Sequence, residues 1–321
     1  MTSNAEPVTI DEIRAARERI ADAIVRTPLV RFNYEDAPAE IYLKLENLQP
    51  IGSFKLRGAG NAMLSAPREQ LAQGVWTASA GNMAQGVAWY ARRLGVPCTV
   101  VAPDHAPETK LAALARLGAN VIKTPFDSWF RILSTHEFPG VHGVFVHPVS
   151  DRAVMAGNGT IGLEILEDLP DVDAVITPYG GGGLSSGVAS ALRALRPETK
   201  LYACEVSTAA PLAPSFAAGS PQEVEYTATF VDGMGGPRVL ADMWPLVSKL
   251  LDGSLVVELD EIGSAIRLLA ERNRVIAEGA GASPVAAALA GKAGSGKVVC
   301  VVSGGNLDTA KLITILQGGV P

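Results

Sequence analysis

The stretch of sequence that decides the fold is ENLQPIGSFKLRGA, residues 46–59. It places Lys55 directly after a Gly52-Ser53 turn, in a segment that is otherwise mostly neutral. Burial of an amine removes the water that stabilises its charged form, and a neighbouring cation such as Arg57 acts in the same direction. Both effects predict a lowered pKa for Lys55, and a neutral amine is a nucleophile that can attack a carbonyl group.

Apolar segments alternate with helical patterns on both sides of this stretch. A capping box formed by Thr9 and Glu12 predicts a first helix that ends near Thr27. The predicted strands are residues 41–45, 98–102, 172–177, 201–206 and 298–302, with another strand beginning at residue 121. The predicted helices are residues 82–94, 184–195 and 260–277, with one more that begins at Pro107 and ends at Gly118. This alternation predicts an α/β protein with mainly parallel sheets.

The length of the chain bears on its division into domains. It has 321 residues, which is long for a protein with a single hydrophobic core, and no clear linker divides it. We therefore expect two interleaved, open α/β domains. The predicted large domain comprises residues 1–52 and 148–321, and the predicted small, mobile domain comprises residues 53–147.

Four consecutive glycines, Gly180 to Gly183, lie between a predicted strand and a predicted helix. Consecutive glycines allow backbone N–H groups to converge on an anion, and the start of a helix adds a favourable dipole. The run is not a dinucleotide-binding fingerprint, because Ser185 and Ser186 stand where the third glycine would be required. The segment therefore predicts a phosphate-binding loop.

Two further turns carry polar groups suited to a small ligand. The sequence SAGN, residues 79–82, opens a predicted helix, where small residues and free amides suit a carboxylate. Asn82 can also donate a hydrogen bond to a phenolate-type oxygen. Ser303 follows a buried strand, and a hydroxyl at that end of a strand faces the crevice where α/β sheets bind ligands.

These motifs, with Thr27-Pro28-Leu29, resemble those of the fold-type II pyridoxal-phosphate enzymes, and within them the threonine and serine dehydratases. The resemblance spans nearly the whole chain and implies a tryptophan synthase β-like fold with pyridoxal 5'-phosphate as cofactor. It implies that Lys55 carries the Schiff base. It further implies cofactor contacts from Phe54, Lys55, Asn82, Gly180, Gly181, Gly182, Gly183, Leu184 and Ser303, and substrate contacts from Ser79, Ala80, Gly81, Asn82 and Met83.

The same resemblance implies a catabolic ammonia-lyase that eliminates water from a β-hydroxy L-amino acid such as threonine or serine. The products would be a 2-oxo acid and ammonia. Lys55 would take the α-proton, and the neutral Ser303 would face the ring nitrogen of the cofactor. The cofactor carries the electronic part of the reaction, and the protein orients it.

Several positions depart from the family pattern. Met83 stands where the family usually has histidine, and the segment PFDSWF, residues 125–130, is unusually aromatic. That segment resembles dehydratases assigned to hydroxyectoine breakdown. The alternative substrate is therefore a bulkier β-hydroxy amino acid, from hydroxyectoine catabolism or of the 3-hydroxyaspartate or phenylserine type. Local core packing is the other explanation of the aromatic residues. Ala80 replaces a serine found in the resembling serine racemases, which predicts weak racemisation. Glu205 matches the first residue of a divalent-cation site in some relatives, but the later acidic position falls near Pro211.

Other classes of protein fit the sequence less well. The net charge of −6 argues against nucleic acid as a partner, because phosphate binding needs a basic surface. No apolar run approaches about 18 residues, the length expected of a membrane span. Cys98, Cys204 and Cys300 fit no zinc pattern, and with no secretion signal we expect a cytoplasmic protein. The resemblance favours a homodimer.

One other enzyme class has a matching motif. The sequence GLSSG, residues 183–187, fits the nucleophile elbow of α/β-hydrolases, with Ser185 as the nucleophile. Such an enzyme places its catalytic histidine after the serine. All four histidines of this chain precede Ser185, so a hydrolase is the remote alternative.

Overall fold

The first helix shows how the sequence signals become structure. The computed structural model describes residues 6–106 and 108–321, and the predicted helix start at Pro107 lies outside these ranges. Helix α1 (Ile10–Ile20) begins with the predicted capping box, in which the Thr9 amide donates to Glu12 at 2.7 Å. The helix ends at Ile20, well before Thr27, so the predicted end of this helix is wrong.

Within the described residues, ten strands form two sheets, which confirms the predicted α/β class. The six strands of the large sheet are β1 (Leu29–Arg31), β2 (Glu40–Lys44), β7 (Ala174–Pro178), β8 (Lys200–Val206), β9 (Gly253–Val257) and β10 (Lys297–Val301). Their order is β1-β2-β10-β7-β8-β9, and every pair is parallel except β1 with β2. The four strands of the small sheet are β3 (Val75–Ala78), β4 (Cys98–Pro103), β5 (Asn120–Thr124) and β6 (Val144–Phe145), all parallel in the order β5-β4-β3-β6.

Helices connect successive strands, as parallel pairing requires. Those that follow α1 are α2 (Lys55–Ser65), α3 (Arg68–Ala72), α4 (Asn82–Leu94), α5 (Glu108–Arg116), α6 (Phe126–Thr135), α7 (Arg152–Asp168), α8 (Gly183–Leu195), α9 (Leu212–Ala218), α10 (Trp244–Leu250), α11 (Leu259–Leu268), α12 (Gly279–Leu289) and α13 (Thr309–Leu316). None of them, over the ranges described, is long and apolar enough to cross a membrane.

The long helix predicted for residues 260–277 is shorter in the structure. It begins as α11, continues as a π-helical turn over Leu269–Asn273, and ends at Arg274. Arg274 adopts a left-handed backbone conformation with φ of 60°, which an α-helix cannot continue through. The chain that follows forms no helix or strand up to Glu278, where α12 is about to begin.

The two sheets have separate apolar cores, and their carboxyl ends carry the polar turns. Strand β3 leads into residues 79–82, β7 into residues 179–183, and β10 into residues 303–306. Ligands of open α/β sheets bind at this edge of the strands. Each sheet lies within one of the two predicted domains, and the limits of those domains remain a prediction.

Candidate active site

A cavity of about 530 Å³ brings the predicted segments together. It lies where β3, β7 and β10 end, and its walls come from both sheets. All the predicted cofactor and substrate residues line it, namely Phe54, Lys55, Ser79, Ala80, Gly81, Asn82, Met83, Gly180, Gly181, Gly182, Gly183, Leu184 and Ser303. The structure thus collects motifs that are up to 250 residues apart in the chain, and the roles of the individual residues remain predictions.

Lys55 is the first residue of α2, and its amine reaches the cavity. Its Nζ donates to the carbonyl oxygen of Pro148 at 2.7 Å and lies 5.2 Å from the centre of the Phe54 ring. Burial lowers the pKa of Lys55 to about 8, and the Glu278 carboxylate opposes this shift. The amine is therefore much closer to its neutral, nucleophilic form at physiological pH than a lysine in water.

The predicted contribution of Arg57 to that lowered pKa is wrong. The Arg57 guanidinium is buried with the carboxylates of Glu46 and Glu164, which neutralise its charge. It makes two hydrogen bonds of 2.8 Å to Glu46, and bonds of 2.7 and 2.8 Å to Glu164. Lys44 completes a buried network of two cations and two carboxylates by binding Glu164 and the Thr27 carbonyl. This network fixes the start of α2, and therefore Lys55, against α7.

The glycine loop forms a cradle without side chains. Gly182 has φ of +96°, a conformation that favours glycine, and α8 begins at the next residue. A Cβ on Gly181 would lie 2.5 Å from the Val149 side chain, and one on Gly183 would lie 2.6 Å from the Val149 carbonyl oxygen. Only glycine fits this approach, which leaves backbone amides at a helix start open to the cavity. Such a cradle fits the phosphate of pyridoxal phosphate.

Ser303 connects the end of β10 to the segment that carries Lys55. Its carbonyl oxygen accepts a hydrogen bond from the Phe54 amide at 2.9 Å, and Ser53 forms a β-bridge with Gly304. The Ser303 side chain is almost fully buried and lines the cavity. The backbone at Ser303 is thus tied to the segment that carries the predicted nucleophile.

The SAGN turn has room for a ligand. Gly81 is the N-terminal cap of α4, and a Cβ on it would meet nothing within 4 Å. The Gly81 amide contacts the Ser79 hydroxyl oxygen at 3.2 Å. A helix start that faces open space suits the carboxylate of a substrate.

Asn82 is part of a hydrogen-bond network that sequence reasoning missed. Its Nδ2 donates to the Glu278 carboxylate at 2.8 Å, and its Oδ1 accepts from Asn306 Nδ2 at 2.8 Å. Asn306 also donates to the Ile51 carbonyl at 2.8 Å. Burial raises the pKa of Glu278 to about 7. The network joins the start of α4, the turn before Lys55 and the segment after β10.

A signal for Glu278 exists in the sequence. It is the acidic residue in AEGAGASP, residues 277–284, which otherwise consists of small, uncharged residues. An isolated carboxylate among such residues indicates either a buried polar site or a helix cap. The structure shows that Glu278 lines the cavity and lies directly before α12.

The aromatic segment contributes one side chain to the cavity wall. Trp129 lines the cavity, whereas Phe130 packs under the Arg238 guanidinium at 5.7 Å. Met83 lines the cavity too, but it is almost fully buried and belongs to the core of the small sheet. The aromatic segment therefore serves both packing and the cavity.

Neither Glu205 nor Ser185 lines the cavity. The Glu205 carboxylate accepts hydrogen bonds from the amides of Leu212 and Ala213 and from the Ser254 hydroxyl, at 2.6–2.9 Å. No group of three or more His, Cys, Asp or Glu side chains that could hold a metal occurs within residues 6–106 and 108–321. The Ser185 hydroxyl is buried and accepts a hydrogen bond from Thr177 at 2.8 Å. This geometry gives no support to the hydrolase alternative.

Comparison with known proteins places the chain in a family. Residues 20–304 match a family model described as "Pyridoxal-phosphate dependent enzyme". The chain therefore belongs to the pyridoxal-phosphate dependent enzymes, and pyridoxal phosphate is its cofactor. Its architecture is fold type II, as the resemblance of its motifs implied.

Three similar proteins show which kinds of pyridoxal-phosphate enzyme this chain resembles. The L-threonine ammonia-lyase of Geobacter sulfurreducens is 42% identical over 315 residues, which cover 96% of this chain and 78% of that protein. The catabolic L-threonine dehydratase of Escherichia coli is 39% identical over 316 residues, which cover 96% of each chain. The structure of maize serine racemase is 34% identical with a TM-score of 0.88, and the match covers 97% of this chain and 98% of that one.

Proposed function

We propose that this protein eliminates water from a β-hydroxy L-amino acid such as L-threonine or L-serine and releases a 2-oxo acid and ammonia. The observation that carries the proposal is the Lys55 amine beside a glycine cradle and an open helix start, in one cavity. The sequence similarity to threonine ammonia-lyases and dehydratases supports the same reaction. When bound, pyridoxal phosphate supplies the electron sink for the bond cleavage.

Different residues of the cavity would have different roles in this reaction. The start of α4, at residues 79–82, would bind the substrate carboxylate, and the amides of residues 180–183 would hold the cofactor phosphate. The Lys55 amine would remove the proton from the substrate Cα, a step that its lowered pKa favours. Its hydrogen bond to Pro148 keeps that amine at a fixed place. The neutral hydroxyl of Ser303 would lie at the ring nitrogen.

The similarity to a serine racemase makes racemisation the activity to separate from elimination. Ala80 lines the cavity and carries no group that could give a proton to a second face of the substrate. We expect incubation with L-serine or L-threonine to yield 2-oxo acid with little D-amino acid, and Ala80→Ser to raise the D-enantiomer. Both products should be assayed in one reaction. Formation of D-amino acid by the unmodified protein at a rate near that of the oxo acid would contradict elimination as the main reaction.

A bulkier β-hydroxy amino acid is the second candidate substrate, and Trp129 in the cavity wall favours it. One extra buried methylene changes specificity by roughly 10–200-fold, so L-threonine would still be used. We expect a higher kcat/KM for a larger substrate, and Trp129→Ala to reduce that preference. The measurement is a panel of L-serine, L-threonine, 3-hydroxyaspartate, phenylserine and hydroxyectoine-derived amino acids.

Phe130→Ala is the matched control for this panel, because Phe130 packs against Arg238 and is not part of the cavity wall. It should leave the order of substrates unchanged. If L-threonine or L-serine is clearly the best substrate, Trp129 serves packing and the first candidate stands.

Three further features complete the proposal. We place the division between the large and small domains at residues 52/53 and 147/148, because each sheet then falls within one domain. A homodimer and a cytoplasmic location are also proposed, both from the resemblance to the family.

A further inference from the structure

His147 uses both ring nitrogens and lies outside the cavity wall. Its Nδ1 accepts hydrogen bonds from the backbone amides of Val149 at 3.0 Å and Ser150 at 2.8 Å. Its Nε2 is 3.0 Å from the carbonyl oxygen of Leu133, near the end of α6. Because a carbonyl oxygen only accepts, the Nε2 nitrogen carries the proton and the ring is neutral. Burial lowers the pKa of His147 to about 4, which agrees with this state.

The two residues that follow His147 both contact the active site. The Pro148 carbonyl accepts the hydrogen bond from Lys55 Nζ at 2.7 Å. Val149 packs against the glycine cradle, where Gly181 and Gly183 leave space for its side chain and its carbonyl. A single tripeptide, residues 147–149, therefore touches the nucleophile on one side and the phosphate cradle on the other.

The path of this tripeptide depends on the imidazole. Two amides that point at one nitrogen lone pair define a tight turn, since each amide must stay within hydrogen-bond distance of Nδ1. Residues 147–149 belong to no helix or strand, so no regular ladder holds them. Asp151 fixes the next stretch as the N-terminal cap of α7. His147 is thus the side chain that shapes the turn between β6 and that cap.

We propose that His147 is a positioning residue that sets the place of the Pro148 carbonyl and of Val149, and through them the orientation of Lys55 and the shape of the phosphate cradle. Neither effect needs His147 to touch substrate or cofactor. The expected effect on cofactor binding rests on the family to which the chain belongs, and the expected effect on turnover rests on the proposed function.

The test compares variants that keep or remove the acceptor. In His147→Asn the side-chain oxygen takes the place of Nδ1, whereas His147→Leu has similar bulk and no acceptor. We expect His147→Leu to bind pyridoxal phosphate roughly 10-fold more weakly, since two backbone amides would lose their acceptor. We expect its kcat to fall about 100-fold, the effect of misplacing a reacting group by a small distance. His147→Asn should stay close to the unmodified protein in both.

The cofactor affinity is measured first, by absorbance titration of the cofactor-free protein without substrate, and turnover is measured afterwards. Thermal unfolding of each variant shows whether the titrated protein is folded. If His147→Leu does not fold, His147→Gln replaces it, because glutamine places its amide nearer to the Nε2 position and leaves the Nδ1 position empty. The same loss is expected from it.

Equal losses in His147→Asn and in the variant without the acceptor would overturn the proposal, as would full cofactor affinity and turnover in a folded His147→Leu. A protein that binds the cofactor but turns over no β-hydroxy amino acid would refute the proposed function instead. In that case the titration still decides whether His147 positions the cradle.

Discussion

Lys55→Ala should lower turnover by about 10²–10⁴-fold or more, the usual contribution of a positioned general acid or base, because the variant would lose the amine proposed both to bind the cofactor and to act as the base. The glycine cradle remains, so the variant should still take up pyridoxal phosphate without a covalent bond. Reduction with borohydride should fix the cofactor to residue 55 in the unmodified protein and fix none in the variant. Peptide mapping after reduction, with turnover assays, measures both effects.

Two other lysines also line the cavity, so the mapping is a real test. Lys110 is paired with Asp232 at 2.8 Å, and Lys311 lies on α13. Attachment of the cofactor to either of them in the unmodified protein would show that the assignment of Lys55 is wrong. Lys249→Ala is the control, because Lys249 is exposed and pairs with Glu6 on the surface. It should leave turnover and labelling unchanged.

Arg57→Met should reduce the free energy of unfolding by about 3–5 kcal/mol, the cost of breaking a buried ion pair by removing one partner. The guanidinium is fully buried and bonds to Glu46 and Glu164, so the substitution leaves carboxylates with only Lys44 to balance them. Urea denaturation of the variant and the unmodified protein measures the difference.

Two controls separate charge balance from loss of packing. Arg17→Met removes an exposed arginine that pairs with Glu167, and it should cost no more than about 1 kcal/mol. Combining Arg57→Met with Glu46→Gln restores one cation to one carboxylate, so the double variant should be more stable than the sum of the single effects. If Arg57→Met and Arg17→Met cost the same, the buried network does not stabilise the fold.

The parts of the site that sequence reasoning could predict are those encoded by neighbouring residues. Lys55 after its turn, the glycines 180–183 and the SAGN turn each carry their chemistry within a few positions, and the structure brings them into one cavity. Strand β7 and helices α4 and α8, which flank two of these segments, agree with their predictions to within a few residues, because apolar periodicity and glycine ends are local signals.

The parts that could not be predicted depend on partners far away in the chain. Glu278 binds Asn82 across 196 positions, and Arg57 finds Glu164 across 107. A pattern of residue types does not reveal which charges are neutralised by being buried together, so the sequence indicates only that Arg57 is a cation near Lys55. His147 was missed for the same reason, since its importance lies in the backbone that it holds.

The position of β10 in the large sheet has a consequence for how the protein is made. Residues 297–301 pair with β2 on one side and with β7 on the other, so a late segment fills the middle of the sheet. Until residues 297–301 have been synthesised, β2 and β7 have no strand between them and present open edges. Pairing across some 250 positions also makes folding slow, because long loops must close first. The large sheet can therefore be completed only after residues 297–301 have been synthesised.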